Sequence, residues 1–179
     1  MKTLKTIFLL FLLVSLAACS SRTSLQEYYV ENADNPNFLS VDLPASLLNM
    51  EKADLTSEQR EAMESLRKMN ILAFKKTSEN AAEFASEKAN VRGILGQPKF
   101  TELMKVNTSY GRGTVKYLGD DDAIDEVIIY GDSDDKGFLL VRILGNNMNP
   151  AKLVQFIQAL EKSDYKGEGL GEIGSFLQS

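Results

Sequence analysis

"TVKYLGDDDAIDEVIIYGDSDDKGFLLVRILG", Thr114 to Gly145, decides the fold. Three runs rich in β-branched, aliphatic and aromatic residues are separated by two acidic breaks that carry glycine. This is the pattern of antiparallel strands joined by tight turns. The second break, Gly131 to Phe138, holds Asp132, Asp134 and Asp135 and raises the question of a calcium loop. An EF-hand needs oxygen ligands at about positions 1, 3 and 5, glycine at 6 and a bidentate glutamate at 12. Counting from Asp132, Asp134 and Gly137 fit, but Lys136 stands where the third ligand belongs and Ile143 where the glutamate belongs. Aspartate and glycine are also what a turn needs, for side-chain-to-backbone bonds and for positive φ. The stretch therefore reads as a turn. Asp120-Asp121-Asp122 makes the same kind of turn one hairpin earlier. If the two acidic tips met at one end of the sheet they would hold calcium weakly, but charges at loop tips are ordinarily just solvated. No metal and no cofactor are assigned.

The parity of these strands sorts their side chains. Pairing Tyr130 with Phe138, and Leu118 with Ile124, sets Glu126 opposite Arg142 and Lys116 opposite Glu126. One face then carries Val115, Tyr117, Val127, Ile129, Leu139, Val141 and Ile143, and is expected to lie under the helices. The other carries a charge ladder, Lys116, Glu126 and Arg142, beside Leu118, Ile128, Tyr130, Phe138 and Leu140. Opposite charges across strands contribute roughly 0.2–1 kcal/mol each and suit a register device. An apolar sheet face with a charged seam suits a binding surface. These eight residues are the candidate interaction face. The alternative is that a helix, Leu25 to Val30 for example, covers it, and a slip of one residue would exchange the faces.

Upstream, Ser24-Leu25-Gln26-Glu27 is a capping box that opens a helix bearing Leu25, Tyr28 and Tyr29 on one side, and "NADNPN" (Asn32 to Asn37) ends it. "FLSVDL" (Phe38 to Leu43) alternates as a strand, and Pro44 opens a short helix through Met50. Thr56-Ser57-Glu58-Gln59 is a second capping box, and Ala62, Met63, Leu66 and Met69 form the stripe of its helix. "NILAFKK" (Asn70 to Lys76) is a strand, and Glu79 to Leu95 is an alanine-rich helix stopped near Gly96 and Pro98. "FTELMKV" (Phe100 to Val106) fits either a helical turn or an edge strand. Asn149-Pro150 supplies an N-cap and first-turn proline to a last helix with Leu153, Val154, Phe156, Ile157 and Leu160. Helices mixed irregularly with a terminal meander give an α+β class. The sheet is expected to be mainly antiparallel, with a C-terminal three-strand meander and helices packed on one face. One domain is expected over residues 24–165, followed by a flexible glycine-rich tail at 166–179.

The N-terminal residues 1–18 are expected to leave the fold as a signal peptide. Lys2 and Lys5 precede the apolar run Ile7 to Leu16, which is shorter than the roughly 20 residues a spanning helix needs. The run ends in Leu16-Ala17-Ala18-Cys19, which resembles the lipobox of bacterial lipoproteins. That resemblance implies lipid attachment at Cys19, fatty acyl chains such as palmitate, and a tether over residues 19–23. A single chain holds a protein only marginally, whereas the several chains of such an anchor hold it stably. Ser20 lacks the aspartate that favours inner-membrane retention in some Gram-negative bacteria, so the expected location is the cell envelope, at the outer membrane.

Cys19 is the only cysteine and the chain has no histidine. Intramolecular disulfides, Ser-His-Asp and Cys-His catalysis, and imidazole metal sites are thereby excluded. The net charge is −5, and loss of the two signal lysines makes the rest more acidic. Nucleic acid and anionic lipid headgroups are therefore not expected partners. "YGRG" (Tyr110 to Gly113) lacks the lysine and hydroxyl ending of a phosphate loop.

The stretch Phe100 to Ile157, with its E-L-M segment, strand–acidic turn–strand repeat and "LVRILGN", resembles the domain of unknown function 4252 family of exported bacterial proteins. "LQEYYVENADNPNFLSVDLPASLLNM" (Leu25 to Met50) looks like that family's N-terminal helix, strand and short helix. The resemblance brings no catalytic signature. Such genes often neighbour extracytoplasmic-function sigma factors, which implies a role in envelope signalling. The expected function is a non-enzymatic, membrane-anchored lipoprotein that binds a protein partner. The alternative is a periplasmic binding module for a small ligand or a cell-wall fragment.

Overall fold

The computed structural model describes residues 23–44, 56–108 and 111–154. Lipid attachment at Cys19, the short helix after Pro44 and the glycine-rich tail fall outside them. In chain order the elements are α1 (Leu25–Asn32), β1 (Phe38–Pro44), α2 (Ser57–Glu64), β2 (Leu66–Lys75), α3 (Ala81–Leu95), β3 (Thr101–Thr108), β4 (Gly111–Asp120), β5 (Ala123–Ser133) and β6 (Gly137–Met148). Residues 150–154 begin a further helix. The strands form one sheet in the order β1-β2-β6-β5-β4-β3. Every neighbouring pair is antiparallel, which makes the fold α+β.

The local signals form as their chemistry dictates. The Ser24 hydroxyl accepts from the Glu27 amide while the Glu27 carboxylate accepts from the Ser24 amide at 2.7 Å. Thr56 and Gln59 repeat this exchange at α2. The Asn149 side chain accepts from the amides of Ala151 and Lys152, with Pro150 in the first turn. Each such cap contributes about 1 kcal/mol.

Two boundaries differ from the sequence reading. The helix opened by Thr56 stops at Glu64, and Leu66 and Met69, spaced as if on a helical stripe, belong to β2. The cause is tertiary. β2 is paired along its length with β1 on one side and β6 on the other, and those ladders outweigh local periodicity. The stretch Phe100 to Val106 resolves as strand from Thr101 onward, with β3 at a sheet edge and a register shift between Glu102 and Met104.

Both sheet faces are apolar. α1 and α3 cover one, where Leu25, Tyr28, Tyr29, Phe84, Val91, Ile94 and Leu95 meet Phe38, Leu72, Phe74, Ile128, Tyr130, Phe138 and Leu140. α2 and the start of the last helix contribute Ala62 and Leu153 to the other, against Leu66, Met69, Ile71, Val115, Val127, Val141 and Ile143. Helices therefore reach both faces rather than one. On the first face, Phe74 and Phe138 stack at 5.5 Å across the β2–β6 ladder, and Phe38 meets Phe74 edge-on at 4.9 Å. Such contacts add about 0.5–1.5 kcal/mol each beyond the area they bury.

The ladder closes at Gly137, which begins β6 with φ of 127°. A Cβ there would sit 1.9 Å from the carbonyl oxygen of Phe74. Neither the backbone angle nor the space admits a side chain. We expect Gly137→Ala to cost roughly 2–3 kcal/mol or more. Urea denaturation measures this, and an unchanged midpoint would show that the turn can re-form with a side chain.

Candidate functional site

The candidate interaction face is where α1 and α3 pack. Ile128 and Leu140 are 0% exposed, Phe138 1% and Tyr130 4%, and Leu118 packs partly buried against them. This corrects the expectation of an open docking face in favour of the helix-covered alternative. The eight residues do share one face, as parity required. The pairing differs by two residues, however, so that Tyr130 stands opposite Leu140, Ile128 opposite Arg142, Leu118 opposite Glu126 and Lys116 opposite Ile128. Between β5 and β6 the shift is set at the turn itself, where Ser133 pairs with Gly137; between β4 and β5 it comes from closure at Asp120 and Ala123 together with the irregularity at Leu118/Gly119.

The charge ladder is reduced to one pair. Arg142 donates Nε to Glu126 Oε1 at 2.7 Å and a terminal nitrogen to Oε2 at 2.8 Å, with side chains only 16% and 12% exposed. This fork raises the Arg142 pKa further, against the opposing effect of burial. Beside it the Tyr29 hydroxyl donates to the carbonyl oxygens of Leu140, at 2.9 Å, and Asn70. Burial pushes that phenol well up. The network fastens α1 to the sheet.

The acidic turn between β5 and β6 is used structurally. Asp132 accepts from Lys88 at 2.5 Å and from Arg92 at 3.0 Å, and Asp134 accepts from Lys88 at 2.7 Å. Lys88 and Arg92 lie one turn apart on α3, so the turn is pinned to that helix. Burial alone would raise the Asp132 carboxyl, but the hydrogen bonds from Lys88 and Arg92 outweigh it and hold the pKa below its ordinary value. The second acidic tip, Asp120 to Asp122, lies at the opposite end of β5, whose eleven residues separate the two tips. At about 3.3 Å per residue they cannot share an ion, which corrects the idea of a joint calcium site. Among the described residues no group of three or more acidic, histidine or cysteine side chains is placed to hold a metal.

An open cleft of about 290 Å³ lies on the first face, between the C-terminal end of α3 and the β4–β5 ladder. Arg92, Leu95 and Gly96 form one wall, and Arg112, Thr114, Lys116, Tyr130 and Asp132 the other. Two members of the sequence-derived face, Lys116 and Tyr130, are thus brought to it, together with Arg92 and Arg112, which sequence reasoning missed. The signal was available in part, since Lys88 and Arg92 at helical spacing complement the aspartates of the turn. Arg112 carried no local signal. The Tyr130 hydroxyl is buried against the Asp132 carboxylate and the Arg92 guanidinium, and burial, followed by the charge of Asp132, pushes its pKa up.

On the second face, the edge strand β1 places Leu39, Val41 and Leu43 side by side, each only partly buried. Among the described residues β1 has a neighbour on one side alone, β2. No helix among them is long and apolar enough to cross a membrane.

Residues 28–156 match the family described as Domain of unknown function (DUF4252), and the chain belongs to it. No curated protein and no solved structure matches the chain.

Two measurements test these assignments. Replacing Arg142 by Met should cost roughly 3 kcal/mol, because it leaves Glu126 charged and nearly buried, while Glu126→Leu with Arg142→Met should recover much of the loss. A double variant as unstable as the sum of the single ones would show that the two side chains act independently. Asp132, whose folded pKa is depressed, contributes stability that is present above its unfolded pKa, near 4, and lost as pH falls through the folded pKa. Asp132→Asn should therefore destabilise at pH 7, with the gap to the wild type narrowing below about pH 4. A gap constant with pH would remove the ion pairs as its cause.

Proposed function

We propose that this member of the family is a non-enzymatic lipoprotein of the cell envelope, anchored to the outer membrane through Cys19, that acts by binding a protein partner. The lack of histidine and the lipobox-like ending at the single cysteine support the anchor and the non-enzymatic reading. With acyl chains on Cys19, only residues 20–23 would separate the lipid from the Ser24 cap of α1. Five steps of extended chain span at most roughly 17 Å, so the domain would be held close to the bilayer. α1 is itself locked to the sheet by Leu25, Tyr28 and Tyr29, which would keep the domain from swinging freely.

The observation that carries the binding reading is the edge strand β1. An edge presents unpaired backbone donors and acceptors, and proteins usually blunt such edges. Here Leu39, Val41 and Leu43 set a partly buried apolar row along it. That combination suits a partner that adds an extended strand with alternating apolar side chains. Envelope signalling is the role the family resemblance implies for such a contact.

A photo-crosslinking residue at Val41 in living cells should capture a protein, whereas one at Asp120, on the far acidic tip, should not. Leu39→Asp with Leu43→Asp should abolish the Val41 adduct in chains whose circular dichroism stays native. An adduct undiminished in that variant, or none at Val41, would overturn the reading. A second reading, binding of a small ligand or a cell-wall fragment, is favoured by the cleft beside Tyr130.

A further inference from the structure

We propose that the second face of the sheet is closed by the chain's own C-terminal segment, with the last helix running on through Leu160 and setting Phe156, Ile157 and Leu160 against the strands. Residues 155–179 lie outside those described. The inference starts from burial. Ile71 is 1% exposed, and Ala73, Val115 and Val127 are 0% exposed, all on this face. Neighbouring strands do not achieve this alone, because side chains stand out from a sheet and an uncovered face is wet. Among the described residues, the helices set only Ala62 and Met63 of α2 and Leu153 over this face. α2 is a helix of eight residues, about 12 Å long. Six strands make a face about 24 Å wide. One short helix and one leucine leave part of that width without a cover.

Residues 45–55, which also lie outside those described, hang between the edge strand β1 and α2. From β1 to Val115 on β4 is four ladders, about 19 Å. The C-terminal segment starts in a better place. It follows β6, an interior strand, and Asn149 and Pro150 fix its first turn. Leu153 is already 1% exposed within the second-face cluster, and Lys152 pairs with Glu61 of α2. The helix therefore enters over this face, beside α2.

The sequence continues the stripe that Leu153 begins. Leu153, Phe156, Ile157 and Leu160 follow the i, i+3, i+4, i+7 spacing of one helical side, and Gln155 and Gln158 fall on the other. From Leu153 to Leu160 is about 10 Å of helix. The second-face residues of β6, from Ile143 through Val141 to Leu139, span about 13 Å. Leu160 thus approaches a row in which Leu39, Ala73, Leu139, Gly131, Gly113 and Val106 are paired neighbours across all six strands. Ala73, Gly131 and Gly113 make the middle of that row shallow. Gly131 has no positive φ, and among the described residues a Cβ there would meet only the Arg112 carbonyl oxygen, at 3.9 Å. Glycine inside a strand without a backbone reason often marks a close approach from outside. Closed in this way, the second face leaves an outside partner only its rim at β1.

The inference does not rest on the strand-addition reading, and its test reads other residues. In the full chain, amide hydrogen exchange at residues 155–160 should be at least about tenfold slower than in a free peptide of the same sequence, since an isolated helix of this length is marginal in water. Phe156→Ala with Leu160→Ala should remove most of that protection, because alanine keeps the helix propensity and deletes only the packing. The amides of Leu72 and Leu140, under the first face, should stay protected. Gln155→Ala with Gln158→Ala, on the other side of the helix, should leave the protection at 155–160 unchanged. A photo-crosslinking residue at position 160 should form its adducts with β2, β5 or β6. In a mixture of isotope-labelled and unlabelled chains, each adduct should stay within one chain. Exchange as fast as in the peptide would overturn the proposal, as would protection that survives the Phe156 and Leu160 substitutions or falls equally with the glutamine ones. An adduct on residues 45–55 would also overturn it, and one joining labelled to unlabelled chains would identify a second copy as the cover instead.

Discussion

The rest of the structure depends on β6 returning from the meander to pair with β2. The two strands are far apart in sequence, yet Phe74 lies opposite Phe138 in the ladder and stacks on it. This pairing joins the β1–β2 part of the sheet to the β3–β6 part and places one strand in the middle with both faces buried. It explains the unbroken apolar run Ile71-Leu72-Ala73-Phe74, every residue of which is at most 1% exposed. A strand with one wet face would alternate. A run without alternation is what burial on both sides demands, even in an antiparallel sheet. The same pairing requires α3 to cross the sheet from β2 to its far edge at β3, and that crossing builds the first helical face.

What was legible in the sequence is what is local. Both capping boxes, the Asn149 cap and the two acidic turns need only neighbours within a few residues, and all are present. The membership of each strand face was also legible, because parity depends on alternation alone. Register was not. It is set by how many residues each turn takes and where a bulge falls: β5 and β6 close with Ser133 opposite Gly137, and nothing in "LGDDDAIDE" says that β4 and β5 close with Asp120 opposite Ala123 and slip once more beside Gly119. The start of β2 was hidden for a related reason. Leu66 and Met69 satisfy a helical stripe and a strand equally well, and the contest is decided by ladders to strands remote in sequence.

Which face the helices take was the larger question, and composition could not decide it, since both faces are apolar. Two side chains settle it in structural terms. Glu126 and Arg142 project from the first face, where a covering helix would ordinarily be excluded by the cost of burying charge. The fork between them, with the Tyr29 hydroxyl satisfying backbone carbonyls next to it, makes the burial acceptable. The charged seam that looked like the mark of an exposed surface is thus the device that lets α1 close over it.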